Sequence, residues 1–248
     1  MFCLLSQYLV WYFYFFVSRQ EVKNGVGVMA CCRVFISCMF FILFLATGSV
    51  FGQGIRFGIH IDPAITWLSS DVSDVSSGRA QAGFDFGLFA DYYFAQNYAF
   101  ATGVSLFNTG GELKYDKGIS LHTKDGNKII DPGGTVKYKI QYVKIPVALK
   151  FKTIEIGRFT YSANLGLDPM IRVSTRVNFR DVKDVHANQE TKLFNFGWHF
   201  GLGGQYSLGG ETAIFAGLFF MNTFTDITKP AHDKITSNNL LFRMGIVF

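Results

Sequence analysis

The sequence predicts an all-β fold: an eight-stranded antiparallel up-and-down transmembrane β-barrel, preceded by a signal peptide. Three observations predict the barrel. Eight segments after residue 53 alternate apolar side chains with polar or small ones, the connections between them alternate between long and short, and the polar positions carry mainly small residues. Because successive side chains of a strand point to opposite faces, each segment has one apolar and one polar face.

The predicted strands are long for a soluble protein. A tilted strand crosses a membrane in about 9–11 residues, whereas strands of soluble proteins typically have about 5–6. The alternation of the fourth slips near Tyr142 and Val143, which predicts a β-bulge. The seventh is apolar on both faces, so its orientation stays open. The eight segments are 55–62 (extending toward Trp67), 82–94, 98–107, 136–151, 159–168, 193–208, 213–222 and 240–248.

The connections between these segments favour a membrane barrel over a soluble sandwich. Short connections at 95–97, 152–158 and 209–212 separate long ones, and all the long ones fall at the same end of the strands. Outer-membrane barrels have short periplasmic turns and longer extracellular loops. We therefore expect a Gram-negative outer-membrane protein with periplasmic termini and extracellular long loops. The long connections are 68–81, 108–135, 169–192 and 223–239.

The polar face is predicted to line the barrel interior. In a soluble sandwich this face would meet water and should be rich in Lys and Glu, but it carries Gly, Ala, Ser and Thr with scattered charges of both signs. Small residues suit the narrow interior of a barrel of about eight strands. The predicted lumen polar network consists of Arg56, His60, Asp62, Asp85, Asp91, Lys144, Lys150, Asn164, Asp168, His199 and Arg243.

Aromatic residues near the ends of the segments predict girdles at the two membrane interfaces. The predicted girdle residues are Trp67, Tyr92, Tyr93, Phe94, Tyr98, Tyr138, Tyr142 and Tyr206.

Composition narrows the class of protein. Charged residues make up 17% of the chain, against about 25% in an ordinary soluble domain. The net charge is +5 without a basic run, so nucleic acid is not a predicted partner. The predicted barrel makes outer-membrane lipid a partner instead. The four cysteines lie in the first 38 residues, which excludes disulfides and thiolate metal sites from the rest of the chain. No cofactor is predicted.

Two apolar runs precede the predicted barrel. The second begins at Met29: Arg33 supplies a positive charge, an apolar stretch follows, and small or modest residues precede a predicted cleavage between Gly52 and Gln53. We therefore predict a dispensable or mis-assigned extension over 1–28, a signal peptide over 29–52 and the barrel domain over 53–248. The alternative is an N-terminal anchor helix over 1–17.

Residues 53–248 resemble the Bacteroidetes outer-membrane β-barrel family of PorT-like proteins. The resemblance rests on "FGQ" at 51–53, "FGIHIDPAITW" at 57–67, "YVKIPVALKF" at 142–151 and the terminal Phe248. It implies an outer-membrane barrel with an accessory role in type IX secretion and secretion components as partners. The terminal Phe248 also resembles the C-terminal insertion signal of bacterial outer-membrane proteins, which the barrel assembly machinery reads. Arg243 departs from the pattern, since glycine is common there.

Three functions are consistent with this sequence. The first is a non-enzymatic structural or surface-interaction role through extracellular loops, which carry recognition on rigid scaffolds. The second is the PorT-like accessory role in secretion. The third is a membrane-embedded lipid-modifying enzyme. Its candidate residues are His60 with Asp62, on one face of the first segment, and His199 and Ser162, which both have interior parity. The third lacks a nucleophile elbow or a metal-spaced His pair, so no enzyme is predicted.

Overall fold

The computed structural model describes residues 54–123, 126–179, 182–189, 191–228 and 234–248. The predicted extension, the signal peptide, its cleavage at Gly52–Gln53 and the four cysteines all lie outside these residues. Within them, no helix is long and apolar enough to cross a membrane.

The described chain is built from β-strands. Their bounds are β1 (Ile55–Ser70), β2 (Val75–Ser77), β3 (Gln81–Ala95), β4 (Tyr98–Tyr115), β5 (Ile119–Thr123), β6 (Gly126–Ile130), β7 (Gly134–Lys144), β8 (Val147–Lys152), β9 (Phe159–Phe179), β10 (Val182–His186), β11 (Phe194–Gly209), β12 (Thr212–Thr223) and β13 (Ile235–Val247).

Eight strand positions close into a ring in the order of the sequence. Each strand pairs antiparallel with the next, from β1 through β3, β4, β7 with β8, β9, β11 and β12 to β13. β7 and β8 occupy one position, because both pair with β4 and β9 on either side of Ile145 and Pro146. β13 then pairs with β1, from Gly58↔Val247 to Ser70↔Ile235. The prediction of an eight-stranded antiparallel up-and-down barrel is confirmed.

The apolar face of each strand points outward. On β1, exposed residues alternate with buried His60, Asp62 and Ala64. A band of large apolar side chains surrounds the barrel, as expected of a surface in contact with lipid. It includes Phe57, Ile59, Ile61, Leu88, Phe100, Leu165, Leu202, Leu218 and Phe242. The open orientation of β12 is also settled, since Phe219 and Met221 are buried and Leu218 is exposed.

The wall continues beyond this band, over residues of which most were predicted to be loops. We call residues 108–115 of β4, 134–141 of β7 and 174–179 of β9 the distal wall; the predictions of connections over 108–135 and 169–192 are wrong there. The chemistry of its two faces is reversed. Its inward side chains form an apolar core with loop residues, whereas its outward side chains are polar or charged, as in a soluble protein. The inward set includes Leu113, Tyr115, Val136, Tyr138, Ile140, Val177 and Phe179.

Three of the predicted girdle residues lie inside the barrel. Tyr93, Tyr138 and Tyr142 are at most 2% exposed, so their assignment to an interface is wrong. Contacting aromatic rings do lie next to the short turns, where Tyr98 packs edge-on against Phe151 and Phe159 against Tyr206. At the opposite end of the band, Phe220 contacts both Trp67 and Trp198.

Candidate functional site in the barrel interior

β7 and β8 together form the interrupted strand position of the ring. Two buried lysines from these strands bind aspartates across the interior. Lys144 ends β7 and its Nζ donates to Asp85 on β3. Lys150 on β8 donates to Asp91 with an Nζ–Oδ2 distance of 2.5 Å. All four side chains are at most 7% exposed. Buried charges are tolerated only when they are paired. The fold therefore needs these ion pairs for stability, and their presence alone does not indicate catalysis.

A third group joins strands that are distant in sequence. Nε and one terminal nitrogen of Arg243 on β13 each lie 2.9 Å from Oδ2 of Asp62 on β1. The guanidinium also covers the ring of Phe219, with its carbon 4.1 Å from the ring centroid. Nδ1 of His60 lies 3.0 Å from Oδ1 of Asp62, but these two atoms lack hydrogen-bond geometry.

The fourth group is a histidine–aspartate pair. Nδ1 of His199 on β11 lies 2.8 Å from Oδ2 of Asp168 on β9, and both side chains are at least nine-tenths buried. A carboxylate on one ring nitrogen fixes the orientation of an imidazole. The pair therefore resembles the oriented bases of enzymes, and it needs a reacting group nearby to act as one.

Ser162, the other candidate residue of interior parity, lies too far along the strand to pair with His199. The residue opposite His199 on β9 is Gly166, and Ser162 is four residues away, or about 13 Å at the rise of a strand. Ser162 and His199 both line a small interior cavity of about 60 Å³, which lies toward the short turns. The cavity has room for a few waters, but this spacing does not form a Ser–His nucleophile pair.

Three buried atoms near β1 and β3 could bind a metal ion. The register places Asp62 opposite Asp85, and ligand atoms of His60, Asp62 and Asp85 lie within 4.8 Å of one another. Nδ1 of His60 and Oδ1 of each aspartate have no hydrogen-bond partner among the described residues. Lys144 and Arg243 already balance the two carboxylates, however. A divalent cation would add two uncompensated charges to a buried space, which disfavours it.

The remaining predicted lumen residues are less enclosed. Arg56 and Asn164 are intermediate in exposure, and neither makes a side-chain hydrogen bond or ion pair with a described residue. The structure thus brings the predicted residues together as four paired groups, two of which adjoin at Asp62 and Asp85, and it leaves Arg56 and Asn164 outside them.

A further interior group was missed by the sequence analysis. Thr109 on β4 hydrogen-bonds Ser237 at 2.9 Å and Asn239 at 2.7 Å on β13. Thr66 donates to the carbonyl of Gly110 at 2.8 Å. Thr109 and Ser237 share the parity of the interior residues on their strands, but they lie in segments predicted to be loops. Extending the alternation past 107 would have found Thr109.

Several solved structures are similar to this chain, among them an outer membrane protease from Escherichia coli. Neisserial surface protein A has 15% identity and a TM-score of 0.42, with 78% of this chain and 98% of that chain covered. Ail of Yersinia pestis has 11% identity and a TM-score of 0.40, with 78% and 98% covered. OprG of Pseudomonas aeruginosa has 15% identity and a TM-score of 0.39, with 79% and 97% covered. No curated protein matches the sequence significantly.

A family model decides the classification. The model of the outer membrane protein beta-barrel domain matches residues 49–229, which include seven of the eight strand positions of the ring. The match agrees with the closed antiparallel ring, its apolar outer band and its ion-paired interior. The chain belongs to the family of the outer membrane protein beta-barrel domain and is a small outer-membrane β-barrel protein.

Proposed function

We propose that this barrel is a non-enzymatic structural protein that presents the distal wall and the long connections for surface interaction. In this proposal the termini are periplasmic and the long connections extracellular. The observation that carries it is the packed interior. Phe107, Tyr142, Leu68 and Leu241 are at most 2% exposed and belong to one core that fills the barrel toward the distal wall. A filled barrel serves as a rigid support for the surface that it displays.

The interior chemistry supports a structural role over catalysis. The aspartates bind lysine or arginine, or orient His199, and Ser162 is out of reach of His199. The lipid-modifying alternative therefore has no assembled nucleophile and base among the described residues.

Ion conductance tests the filled interior. In a planar bilayer the purified protein is expected to give no discrete conductance steps. The variant Phe107→Ala/Tyr142→Ala, which removes two interior rings, is expected to raise ion flux. Phe100→Ala is the control, because this ring is 52% exposed on the outer surface. Regular steps from the unmodified protein would show an open pore and overturn the proposal.

A second proposal is an accessory role in type IX secretion, with assembly by the barrel assembly machinery through Phe248. It is supported by the PorT-like segment at 142–151, which forms the interrupted strand position. Phe248 also completes ring closure, since its amide donates to the carbonyl of Phe57 at 2.8 Å and its carbonyl accepts from Phe57 at 3.0 Å. Normal export of type IX substrates in a deletion strain would exclude the secretion role.

A further inference from the structure

We propose that the outer face of the distal wall binds the phosphorylated headgroup of a membrane lipid, in the leaflet nearest the long connections. The proposal requires only that the barrel spans the membrane, and it does not depend on the proposed surface role. It is based on three adjacent strands, β4, β7 and β9. Their outward side chains change from apolar to neutral polar to basic with increasing distance from the apolar band.

The register defines these rows. Leu106, Val143 and Ile171 are paired across the three strands in the last apolar row. One step further, Asn108, Gln141 and Ser174 form a neutral polar row. The next row contains Gly110, Lys139 and Arg176, and the row after it places Lys137 between Glu112 and Asn178.

The cations of the distal wall lie within side-chain reach of the lipid headgroup layer. Two residues advance a strand by about 7 Å, which is about 5 Å along the membrane normal for a strand tilted by about 40°. The row of Lys139 and Arg176 is two such steps, or about 10 Å, beyond the last apolar row, and long Lys and Arg side chains can extend back toward the membrane. Headgroups occupy a layer of about 5–8 Å on each side of the hydrocarbon core.

The cations of this surface are available to a ligand. Lys137 and Arg176 have no ion-pair partner among the described residues, and Lys139 has an exposed contact of 3.0 Å with Asp184. Gly110 extends no side chain beside them. A Cβ at this position would lie 2.1 Å from the carbonyl oxygen of Tyr138, so only glycine fits there. No side chain from position 110 therefore covers the neighbouring cations. Lys137, Lys139 and Arg176 line one groove together with the amide side chains of Asn108 and Gln141, which can donate hydrogen bonds to a phosphate.

On the opposite side of the rim, the cations among the described residues, Lys192 and Lys234, are each paired with an aspartate. There Asn222 donates to Asn238 at 2.6 Å, and Asn238 donates to Ser69 at 3.0 Å, forming a neutral row across β12, β13 and β1. The asymmetry localises the lipid site to one side of the barrel. A general attraction of a basic protein to an anionic membrane would not require it.

Lipid retention tests the site. The full chain is reconstituted in phosphatidylcholine vesicles with or without lipid A, extracted in mild detergent, and analysed for bound lipid by native mass spectrometry. We expect lipid A to be retained selectively. The variant Lys137→Gln/Arg176→Gln should bind it about 25-fold more weakly, since each basic residue near an anionic surface contributes about fivefold.

The matched control is Lys192→Gln/Lys234→Gln. It removes the same charge from exposed lysines that already contact Asp226 and Asp71, and we expect it to retain lipid A normally. A heat-modifiable band on unboiled gels verifies folding of each variant. Equal retention by the unmodified protein and the Lys137/Arg176 variant, or equal loss in the control, would overturn the proposal. So would inorganic phosphate competing in the millimolar range as well as the lipid does, since it would indicate a site for the free anion.

Discussion

Lys144 places an ammonium group in the interior with 3% exposure and one carboxylate partner, Asp85. Lys144→Met preserves most of the side-chain volume but leaves the aspartate as an uncompensated buried charge. We expect the free energy of unfolding to fall by about 3–5 kcal/mol. Urea titration of the barrel refolded in phosphatidylcholine vesicles measures this change.

The double variant Asp85→Asn/Lys144→Met separates the pair from the packing. Since it removes both charges, it should recover most of the lost stability. If Lys144→Met alone were as stable as the unmodified protein, the pair would not be compensating a buried charge.

Gly201 and Gly204 offer a matched comparison within β11. A Cβ at Gly201 would lie 2.3 Å from ring carbons of Phe219, the ring beneath Arg243. Gly201→Ala should therefore lower the free energy of unfolding by about 1–3 kcal/mol, as overpacking does. A Cβ at Gly204 has no neighbour closer than 3.9 Å, so Gly204→Ala should be neutral or stabilise by up to about 1 kcal/mol. Equal effects in urea titrations would contradict this account.

The alternation of apolar and polar residues predicts which side chains face the interior, but it does not predict which of them pair. His60, Asp62 and Asp85 share the small-residue face of their strands, which depends only on period two. Asp85 and Lys144 are 59 residues apart and lie on strands separated by β4. Their contact depends on the register of two successive strand pairs. One sequence does not specify that register, so the network was predicted as a set and its four groups were not.

The distal wall shows why strand ends were misplaced. The criterion in the sequence was an apolar face opposite a small polar one, which describes a strand between lipid and a narrow lumen. Beyond residue 107, Leu113 and Tyr115 point inward and Glu112 and Lys114 point outward, so the alternation persists with its chemistry reversed. The predicted slip near Tyr142 is present as a register shift between Gln141 and Tyr142, close to this reversal.

The distal wall should be stabilised as a soluble protein is. Leu113 is fully buried on β4, so Leu113→Ala should lower the free energy of unfolding by about 2–5 kcal/mol. Lys114→Ala, at the exposed next position, should change it by no more than about 0.5 kcal/mol. Hydrogen exchange of the β4 amides would localise the loss. A small effect of Leu113→Ala would mean that the apolar core does not support the wall.

The whole barrel is both closed by strand pairing and filled by side chains. β1 and β13, at opposite ends of the described chain, pair over residues 58–70 and 235–247. This pairing removes the free edges that a membrane does not tolerate. The paired ions fill one part of the interior and the apolar core fills the other, so the closed wall encloses side chains along its length. In the proposed function, recognition therefore falls to the surface beyond the apolar band.

The orientation of the whole molecule is tested by cysteine labelling, because residues 39–248 contain no cysteine. Asp116→Cys places a thiol in the exposed connection after β4, and Glu211→Cys places one in the exposed short turn before β12. With the long connections outside the cell, a membrane-impermeant maleimide should label Asp116→Cys in intact cells and Glu211→Cys only after lysis. The unmodified chain measures the contribution of Cys3, Cys31, Cys32 and Cys38. The reverse pattern would place the short turns outside the cell. The distal wall and its lipid site would then face the periplasm.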